Sequence, residues 1–129
     1  MPSDVYFPRV NGVSSSMKSH CDELARLGHE VHLLVPDYPE PFSDSHPAER
    51  VAARTIFFDP EDRLMTRRAL AAAEERLARI PFDLVHIHTP FVAHFAGVRL
   101  ARAQGILAVE TYHTFFEEYV AHYLPWMPA

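Results

Sequence analysis

The feature that most constrains the fold is an alternation of short β-rich runs with longer amphipathic runs along a chain of 129 residues. The β-rich runs are each short enough for a buried strand and span 30–35, 51–58, 83–88 and 107–112. Helical spacing of apolar residues predicts helices over 14–27, 64–79, 91–104 and 114–123. Strands separated by helices imply a Rossmann-like α/β fold, a doubly wound parallel sheet with right-handed crossovers. The length favours a single domain over 1–129.

Glycine and proline mark the ends of these elements. Gly28 and Gly105 stand where helix C-caps belong, and Pro36 and Pro90 close two of the strands. The stretch 36–47 holds four prolines among acidic residues and serines, a composition that sustains neither a ladder nor a helix. It is predicted to be an exposed loop.

The opening strand of the sheet is predicted to be shortened or missing. Only residues 1–7 precede the first loop, and Pro2 interrupts them. In doubly wound folds this strand lies mid-sheet, so its loss would leave unpaired backbone groups and an apolar slot in the interior. We therefore expect a marginally stable or aggregation-prone domain.

Composition and charge exclude several classes of protein. Seventeen acidic against twelve basic residues give a net charge of -5, which argues against nucleic acid as a partner. Cys21 is the one cysteine, so no internal disulfide forms, as suits a reducing cytoplasm. No apolar run reaches the roughly 18 residues of a spanning helix, and no signal peptide is visible. We expect a cytoplasmic protein.

Residues that could bind or react with a ligand follow the predicted strands. In open parallel sheets, ligands bind at this edge. Asn11 and Gly12 lie at the start of the first helix, where backbone N–H groups and the helix dipole suit a diphosphate. An Asn-Gly pair is also a common turn, and the two interpretations stay open.

Two histidines end consecutive strands, His88 and His113, each followed by a threonine. Imidazoles at such an edge can donate to sugar hydroxyls or exchange protons. His86 shares a strand face with His88, and a zinc site could recruit both with His113. No further ligand at suitable spacing completes such a site, and hydrogen bonding within the core is the alternative role for His86.

Four segments, in this order, carry a family resemblance: 3–14 (SDVYFPRVNGVS), 23–31 (ELARLGHEV), 86–91 (HIHTPF), and 111–114 (TYHT) with 116–119 (FEEY). Together they resemble the N-terminal domain of glycosyltransferase family 4. The tail 119–128 resembles the branch with glucosyl-diacylglycerol synthases and phosphatidylinositol mannosyltransferases.

The resemblance implies one half of a two-domain GT-B enzyme that transfers a sugar from a nucleotide diphosphate sugar to a sugar or lipid acceptor. It implies retention of configuration and no cofactor or essential metal. Asn11 and Gly12 would lie against the donor diphosphate, and His113 would be the catalytic residue that contacts the transferred sugar. The acceptor side of the cleft would be shaped by Asp4, His88 and Thr114.

Two departures from the family pattern affect the expected activity. The first strand is almost absent, and the C-terminal donor-binding domain with its Glu-x7-Glu motif is absent from the sequence. The chain alone is therefore expected to be inactive, and with a lipid acceptor the full enzyme would lie on the inner membrane surface. Two alternatives remain: a stand-alone, non-catalytic binding module, and a GT-B sugar-nucleotide epimerase or phosphorylase.

Overall fold

The computed structural model describes residues 1–56 and 59–113. Helices and strands follow in this part of the chain in the order α1 (Gly12–Arg26), β1 (Leu33–Pro36), β2 (Ala48–Val51), β3 (Ala53–Ile56), β4 (Asp59–Met65), α2 (Arg67–Leu77), β5 (Leu84–Ile87), α3 (Val92–Gln104) and β6 (Leu107–Glu110). The predicted helix over 114–123 lies outside the described residues.

The parallel sheet is built from two strand pairs joined by the first residues of the chain. Strand β1 pairs in parallel with β2, and β5 pairs in parallel with β6. Pro2 forms a parallel bridge with Leu34 of β1, and its carbonyl accepts from the backbone N–H of His88 at 3.1 Å. The spatial order is thus β2, β1, residues 1–3, β5, β6. The central strand is reduced to a single bridge, which confirms the shortened opening strand.

Helices cover both faces of the sheet, as in a Rossmann-like fold. On one face α1 packs through Met17 and Cys21 against Leu33 and Val35 of β1. On the other face α2 and α3 form a cluster with the alternate strand residues, among them Leu34, Val85 and Ile87. This alternation buries β1 on both sides, as expected for an interior parallel strand.

The helix ends follow the sequence signals. Asn11 caps α1 by accepting from the Ser14 backbone N–H at 2.9 Å, and the Ser14 hydroxyl accepts from the Asn11 N–H at 2.9 Å. Gly28 and Gly105 follow α1 and α3 with φ of 90° and 66°, values that disfavour residues with a Cβ. Both predicted glycine stops are confirmed.

The structure corrects the prediction between residues 48 and 66. One strand was predicted over 51–58, but β2 ends at Val51 and an antiparallel hairpin of β3 and β4 follows. Helix α2 begins at Arg67 instead of residue 64, because Leu64 and Met65 pair with Arg54 and Ala53 in that hairpin. Tertiary pairing outweighs the helix propensity of this stretch.

Elsewhere the elements are of the predicted type. Helix α1 begins at Gly12 instead of residue 14, and α3 and the remaining strands are shorter than predicted. The strand predicted over 30–35 is Leu33–Pro36, and the one over 107–112 is Leu107–Glu110. The stretch 37–47 forms neither helix nor strand, which confirms the predicted loop. Among the described residues, no helix combines the length and hydropathy needed to cross a bilayer.

Candidate functional site

The loops that follow the central strand and β5 meet at the C-terminal edge of the sheet. The Asp4 carboxylate accepts from the Thr89 hydroxyl at 2.6 Å and from the Ala93 backbone N–H at 3.1 Å. The Asp4 N–H in turn donates to the Thr89 hydroxyl oxygen at 2.7 Å. Burial raises the pKa of the Asp4 carboxyl, against the opposing effect of these hydrogen bonds. Asp4 thus joins its own loop to the first turn of α3, where the helix dipole favours negative charge.

His88 is the most enclosed ionisable side chain at this edge. It follows β5 directly and is only 1% exposed, so its ring is shielded from water. Burial, together with the smaller effects of the neighbouring His86 and His113 rings, lowers its pKa to about 3. Its Nε2 is buried and has no hydrogen-bond partner among the described residues. His88 is therefore neutral at physiological pH.

His113 follows β6 and pairs with His88 across the neighbouring strands. The Nε2 atom of His113 lies 3.0 Å from Nδ1 of His88, and the two rings stack with centroids 5.3 Å apart. His113 is half-buried, and burial together with His20 lowers its pKa. The predicted convergence of the two strand-end histidines is present as a direct contact.

Two further histidines extend the pair into a cluster of four rings. His20 of α1 lies with its ring centroid 5.6 Å from those of both His86 and His88. Its Nδ1 donates to the Ser16 carbonyl at 2.8 Å. His86 contacts the Thr111 hydroxyl at 2.7 Å through Nε2, in agreement with a hydrogen-bonded role within the fold. Sequence reasoning missed His20, because its position beside the buried face of α1 depends on how that helix crosses the sheet.

A metal site was one interpretation of these histidines. In the described part of the chain, no group of three or more His, Cys, Asp or Glu side chains is arranged to hold a metal ion. The ring contacts of the cluster are those of packed, largely neutral imidazoles.

Asn11 and Gly12 occupy the same edge, at the N-terminus of α1. Gly12 is exposed, and a Cβ built there would meet no atom within 4 Å, so the space in front of it is open. The Asn11 side chain is already used for capping. His20 lies eight residues further along α1, about 12 Å at the helical rise of 1.5 Å per residue.

A cavity of about 420 Å³ opens beside this helix N-terminus, lined by Pro8, Arg9, Val10, Tyr38, Pro39, Glu40 and Arg63. Arg63 lies over the ring of Tyr38 at 5.9 Å. Two arginines, Arg9 and Arg63, line the cavity together with the acidic residue Glu40. A larger cavity of about 760 Å³ lies at the opposite edge of the sheet, under Met1 and away from the His88 and His113 pair.

Comparison of the sequence with known protein families gives a match that fits the geometry of this edge. The family described as Glycosyltransferase Family 4 matches residues 10–129, nearly the whole chain. This chain belongs to glycosyltransferase family 4. The resemblance drawn from its sequence segments is confirmed.

Several curated proteins are similar to this family 4 chain. It is 32% identical over 95% of its length to an alpha-monoglucosyldiacylglycerol synthase of Streptococcus pneumoniae, of which it covers 27%. It is 29% identical to a synthase of the same name from Acholeplasma laidlawii, with 95% of the chain and 31% of that protein covered. A GDP-mannose-dependent alpha-mannosyltransferase of Mycobacterium tuberculosis is 28% identical, with coverage of 94% and 33%. The chain thus spans about a third or less of these relatives. No solved protein structure matches it.

Of the site residues predicted for this family 4 chain, the structure joins Asp4 to the loop after β5 and His88 to His113. Asn11 and Gly12 lie at the same edge, at the start of α1. Thr114 lies outside the described residues. The roles of all six toward substrate stay predictions.

Proposed function

We propose that this chain is the acceptor-side half of a retaining GT-B glycosyltransferase, which transfers a sugar from a nucleotide diphosphate sugar to an acceptor. The donor-binding half then lies in a second domain beyond residues 1–129. Membership of family 4 and coverage of only 27% to 33% of the curated relatives support this assignment.

The observation that carries the proposal is the contact between His88 and His113 at the C-terminal edge of a parallel sheet. Open α/β sheets bind ligands beyond this edge, at the point where strand order reverses. Here the order reverses at residues 1–3, and the side chains that follow on either side are Asp4, His88 and His113. The second domain would close over this edge and bring the donor to it.

The tautomers of the histidine pair indicate how His113 would meet a sugar. His88 and His113 share one hydrogen bond, so one ring nitrogen donates and the other accepts. A buried N–H without a partner is rarer than a buried acceptor without one, and Nε2 of His88 has none. His88 therefore carries its proton on Nδ1 and donates to Nε2 of His113. His113 is then protonated on Nδ1 and can donate to a sugar hydroxyl.

The donor diphosphate would lie at the N-terminus of α1. The open space before Gly12 lets backbone N–H groups approach an anion, and the helix dipole adds partial positive charge. Arg9 and Arg63 line the adjoining cavity with Glu40, and the net positive charge of these three side chains would favour the same anion. In this arrangement charge is neutralised by the protein itself, and no metal ion is required.

The acceptor is proposed to be a lipid. Two relatives are named monoglucosyldiacylglycerol synthases, and this chain is 32% and 29% identical to them. With such an acceptor the complete enzyme would work at the inner membrane surface. Asp4 would act there mainly by fixing the loop that it joins to α3.

The test is to express the full open reading frame that contains this chain and to supply radiolabelled UDP-glucose or GDP-mannose with diacylglycerol or monoglucosyldiacylglycerol vesicles. We expect label in a glycolipid with the anomeric configuration of the donor, seen by NMR, and no loss of activity in EDTA. Residues 1–129 alone should transfer nothing. A full-length protein with no Glu-x7-Glu motif and no transfer or donor hydrolysis would contradict the proposal.

The role of His113 is tested with His113→Asn in the same full-length protein. Loss of a donor to the sugar should lower kcat/KM on the order of 100-fold. His29→Asn, at an exposed histidine near the other edge of the sheet, is the matched control and should leave the rate unchanged. Equal rates for the two variants would exclude His113 from sugar contact.

A further inference from the structure

Four histidines form a cluster between α1 and the ends of β5 and β6: His20, His86, His88 and His113. The centroids of the His86 and His88 rings lie 4.1 Å apart. The His20 ring centroid lies 5.6 Å from each of these two rings, and the His113 ring stacks on His88 at 5.3 Å. At such distances a proton on one ring opposes a second proton on its neighbour.

Among the described residues, no carboxylate pairs with any ring of this histidine cluster. The rings contact a carbonyl, a hydroxyl and each other instead. Elsewhere in the chain, His32 lies 2.6 Å from a carboxylate oxygen of Glu30, and His46 lies 3.3 Å from one of Asp22. A proton in the cluster is therefore not neutralised by a neighbouring side chain, and repulsion limits how many rings carry one.

Two acidic side chains lie near this edge of the sheet, and both have other partners. The Asp4 carboxylate accepts from the Thr89 hydroxyl at 2.6 Å and from the Ala93 backbone N–H at 3.1 Å. An oxygen of Glu110 lies 3.0 Å from Nδ1 of His94 in α3, the helix on the face of the sheet opposite α1. The charge of the cluster thus depends on the four imidazoles themselves.

His20 is the exposed member of the cluster. His86 and His113 are half-buried, and His88 is fully buried. Nδ1 of His20 donates to the Ser16 carbonyl one turn back along α1 at 2.8 Å, which fixes the position of the ring. Nε2 is then the atom at which the neutral ring accepts a proton from solvent. A charge on His20 therefore lies at a fixed place beside the buried rings.

The electrostatics of the inner rings agree with this arrangement. The pKa is lowered for His86, His88 and His113, in each case mainly by burial. The charge of His20 adds to the lowering of the pKa in all three. The Met1 amino group acts in the same direction on the first two. For His113, His20 is the cause that follows burial.

Protonation of His113 would break the hydrogen bond that orients its ring. In the neutral pair, Nδ1–H of His88 donates to Nε2 of His113. A proton on that Nε2 would face the His88 donor. His88 could accept it only by carrying its own proton on Nε2, which is buried and has no partner among the described residues. The geometry of the pair therefore requires a neutral His113.

We infer that His20 is a positioning residue of this site, whose positive charge in acid keeps His113 neutral and hydrogen-bonded to His88. The exposed ring on α1 holds the proton, and the inner pair keeps the tautomers that the proposed sugar contact needs. The inference rests on the proposed function for one consequence, that sugar transfer persists to lower pH than it would without His20.

The test compares His20→Gln with His20→Lys in the full-length protein. Both new residues suit an exposed helix position, and they differ in charge across the pH range. Ring ¹⁵N NMR of histidine-labelled protein follows the protonation of His113, whose signals are those lost in His113→Asn. We expect the His113 midpoint to lie about 0.5 pH unit higher in His20→Gln than in His20→Lys, with the wild type between them. The difference should fall by at least about half in roughly 1 M NaCl.

The matched control is the pair His29→Gln and His29→Lys, at an exposed histidine near the other edge of the sheet. These two variants should have equal His113 midpoints. Equal midpoints in His20→Gln and His20→Lys, or the same difference in the His29 pair, would overturn the inference.

The pH dependence of kcat/KM separates this inference from the proposed function. Its acid limb should shift with the His113 midpoint in the two His20 variants. A protein that shows the midpoint difference and transfers no sugar would refute the proposed function and keep the role of His20. Sugar transfer with equal midpoints would refute the role of His20 and keep the proposed function.

Discussion

His88 links stability to chemistry at the scale of one residue. Its ring is buried and neutral, it fixes the orientation of His113, and its backbone N–H pairs with Pro2 of the central strand. Keeping this ring neutral costs little free energy of folding at pH 7. It costs more at a pH where the same histidine binds a proton in the unfolded chain. The geometry of the proposed sugar contact and the pH dependence of folding therefore depend on the same imidazole.

Acid should destabilise the fold well above the pH at which carboxylates protonate. The folded pKa of His88 is about 3 against an ordinary value of 6.5, so His88 does not destabilise the fold above pH 6.5 and destabilises it increasingly as pH drops toward 3. At pH 5 this amounts to about 2 kcal/mol from His88 alone. The lowered pKa values of His86 and His113 act in the same direction. Urea unfolding followed by circular dichroism from pH 8 to pH 5 measures the effect.

A matched pair of variants assigns this slope to the buried ring. His88→Phe keeps an aromatic ring of similar size and should flatten the dependence between pH 6.5 and 5, even if the variant is less stable throughout. His29→Asn, at an exposed position, should keep the wild-type slope. An unchanged slope in His88→Phe would assign the acid sensitivity to another group, such as the Met1 amine.

At the scale of one element, α3 lies closest to the sheet at Gly97. A Cβ added there would lie 2.7 Å from Cγ1 and 2.9 Å from Cδ1 of Ile87, and 3.1 Å from Cγ of Pro2. Ile87 is 1% exposed and lies within the buried cluster formed with α2 and α3. Gly97→Ala should therefore destabilise the fold by about 1–3 kcal/mol, despite the better helix propensity of alanine. Thermal unfolding measures this.

Gly12→Ala is the control for that substitution. Both glycines lie in helices, but a Cβ on Gly12 meets nothing within 4 Å. Its stability should stay within about 0.5 kcal/mol of wild type or rise. If Gly97→Ala changed the free energy of unfolding no more than Gly12→Ala does, α3 could not lie as close to β5 as the structure places it.

Two substitutions of Asn11, the N-cap of α1, distinguish its structural role from a role in donor binding. Aspartate caps helices as well as asparagine does, so Asn11→Asp should keep Tm, while Asn11→Ala should cost about 1 kcal/mol. A new negative charge at a diphosphate site repels the donor, so Asn11→Asp should raise the donor KM of the full-length enzyme roughly tenfold. An unchanged donor KM would show that Asn11 caps the helix and takes no part in donor binding.

Most elements of this fold were predictable because their periodicity is local. The runs around Val85, Leu100 and Met17 show strand or helix spacing within a few residues, and Gly28 and Gly105 mark the stops. The hairpin of β3 and β4 was missed because its second strand is rich in charge and contains a proline, and its pairing with β3 is set by tertiary contacts.

The candidate site was also predictable only in part. The rule that parallel strands end at one edge predicted the meeting of His88 and His113. It could not place His20, Arg9 or Arg63, because the helix crossing and the β3 and β4 hairpin decide where those side chains lie. The sequence predicts the positions of site residues that strand order determines. It does not predict the positions of those that the packing of helices and hairpins determines.

At the scale of the whole molecule, β6 forms one border of the sheet and pairs with no strand but β5 among the described residues. Leu107 is 74% exposed, Leu84 opposite it is 48% exposed, and Val109 is 43% exposed. An apolar edge strand favours pairing with another chain, and a net charge of -5 opposes that only weakly at physiological salt. Residues 1–129 alone should therefore self-associate at micromolar concentrations.

A charge on this edge should prevent the association without affecting the fold. Leu107→Lys adds a positive charge at an exposed edge position, which natural sheets use to block pairing, and should lower the association constant at least tenfold. Its Tm should stay within a few degrees of wild type because little buried area is lost. Leu27→Lys, at a residue that is 63% exposed beyond the end of α1, is the matched control and should associate like wild type. Sedimentation velocity across a concentration series distinguishes the three proteins. If Leu107→Lys and Leu27→Lys reduced association equally, net charge would govern it and the β6 edge would have no special part.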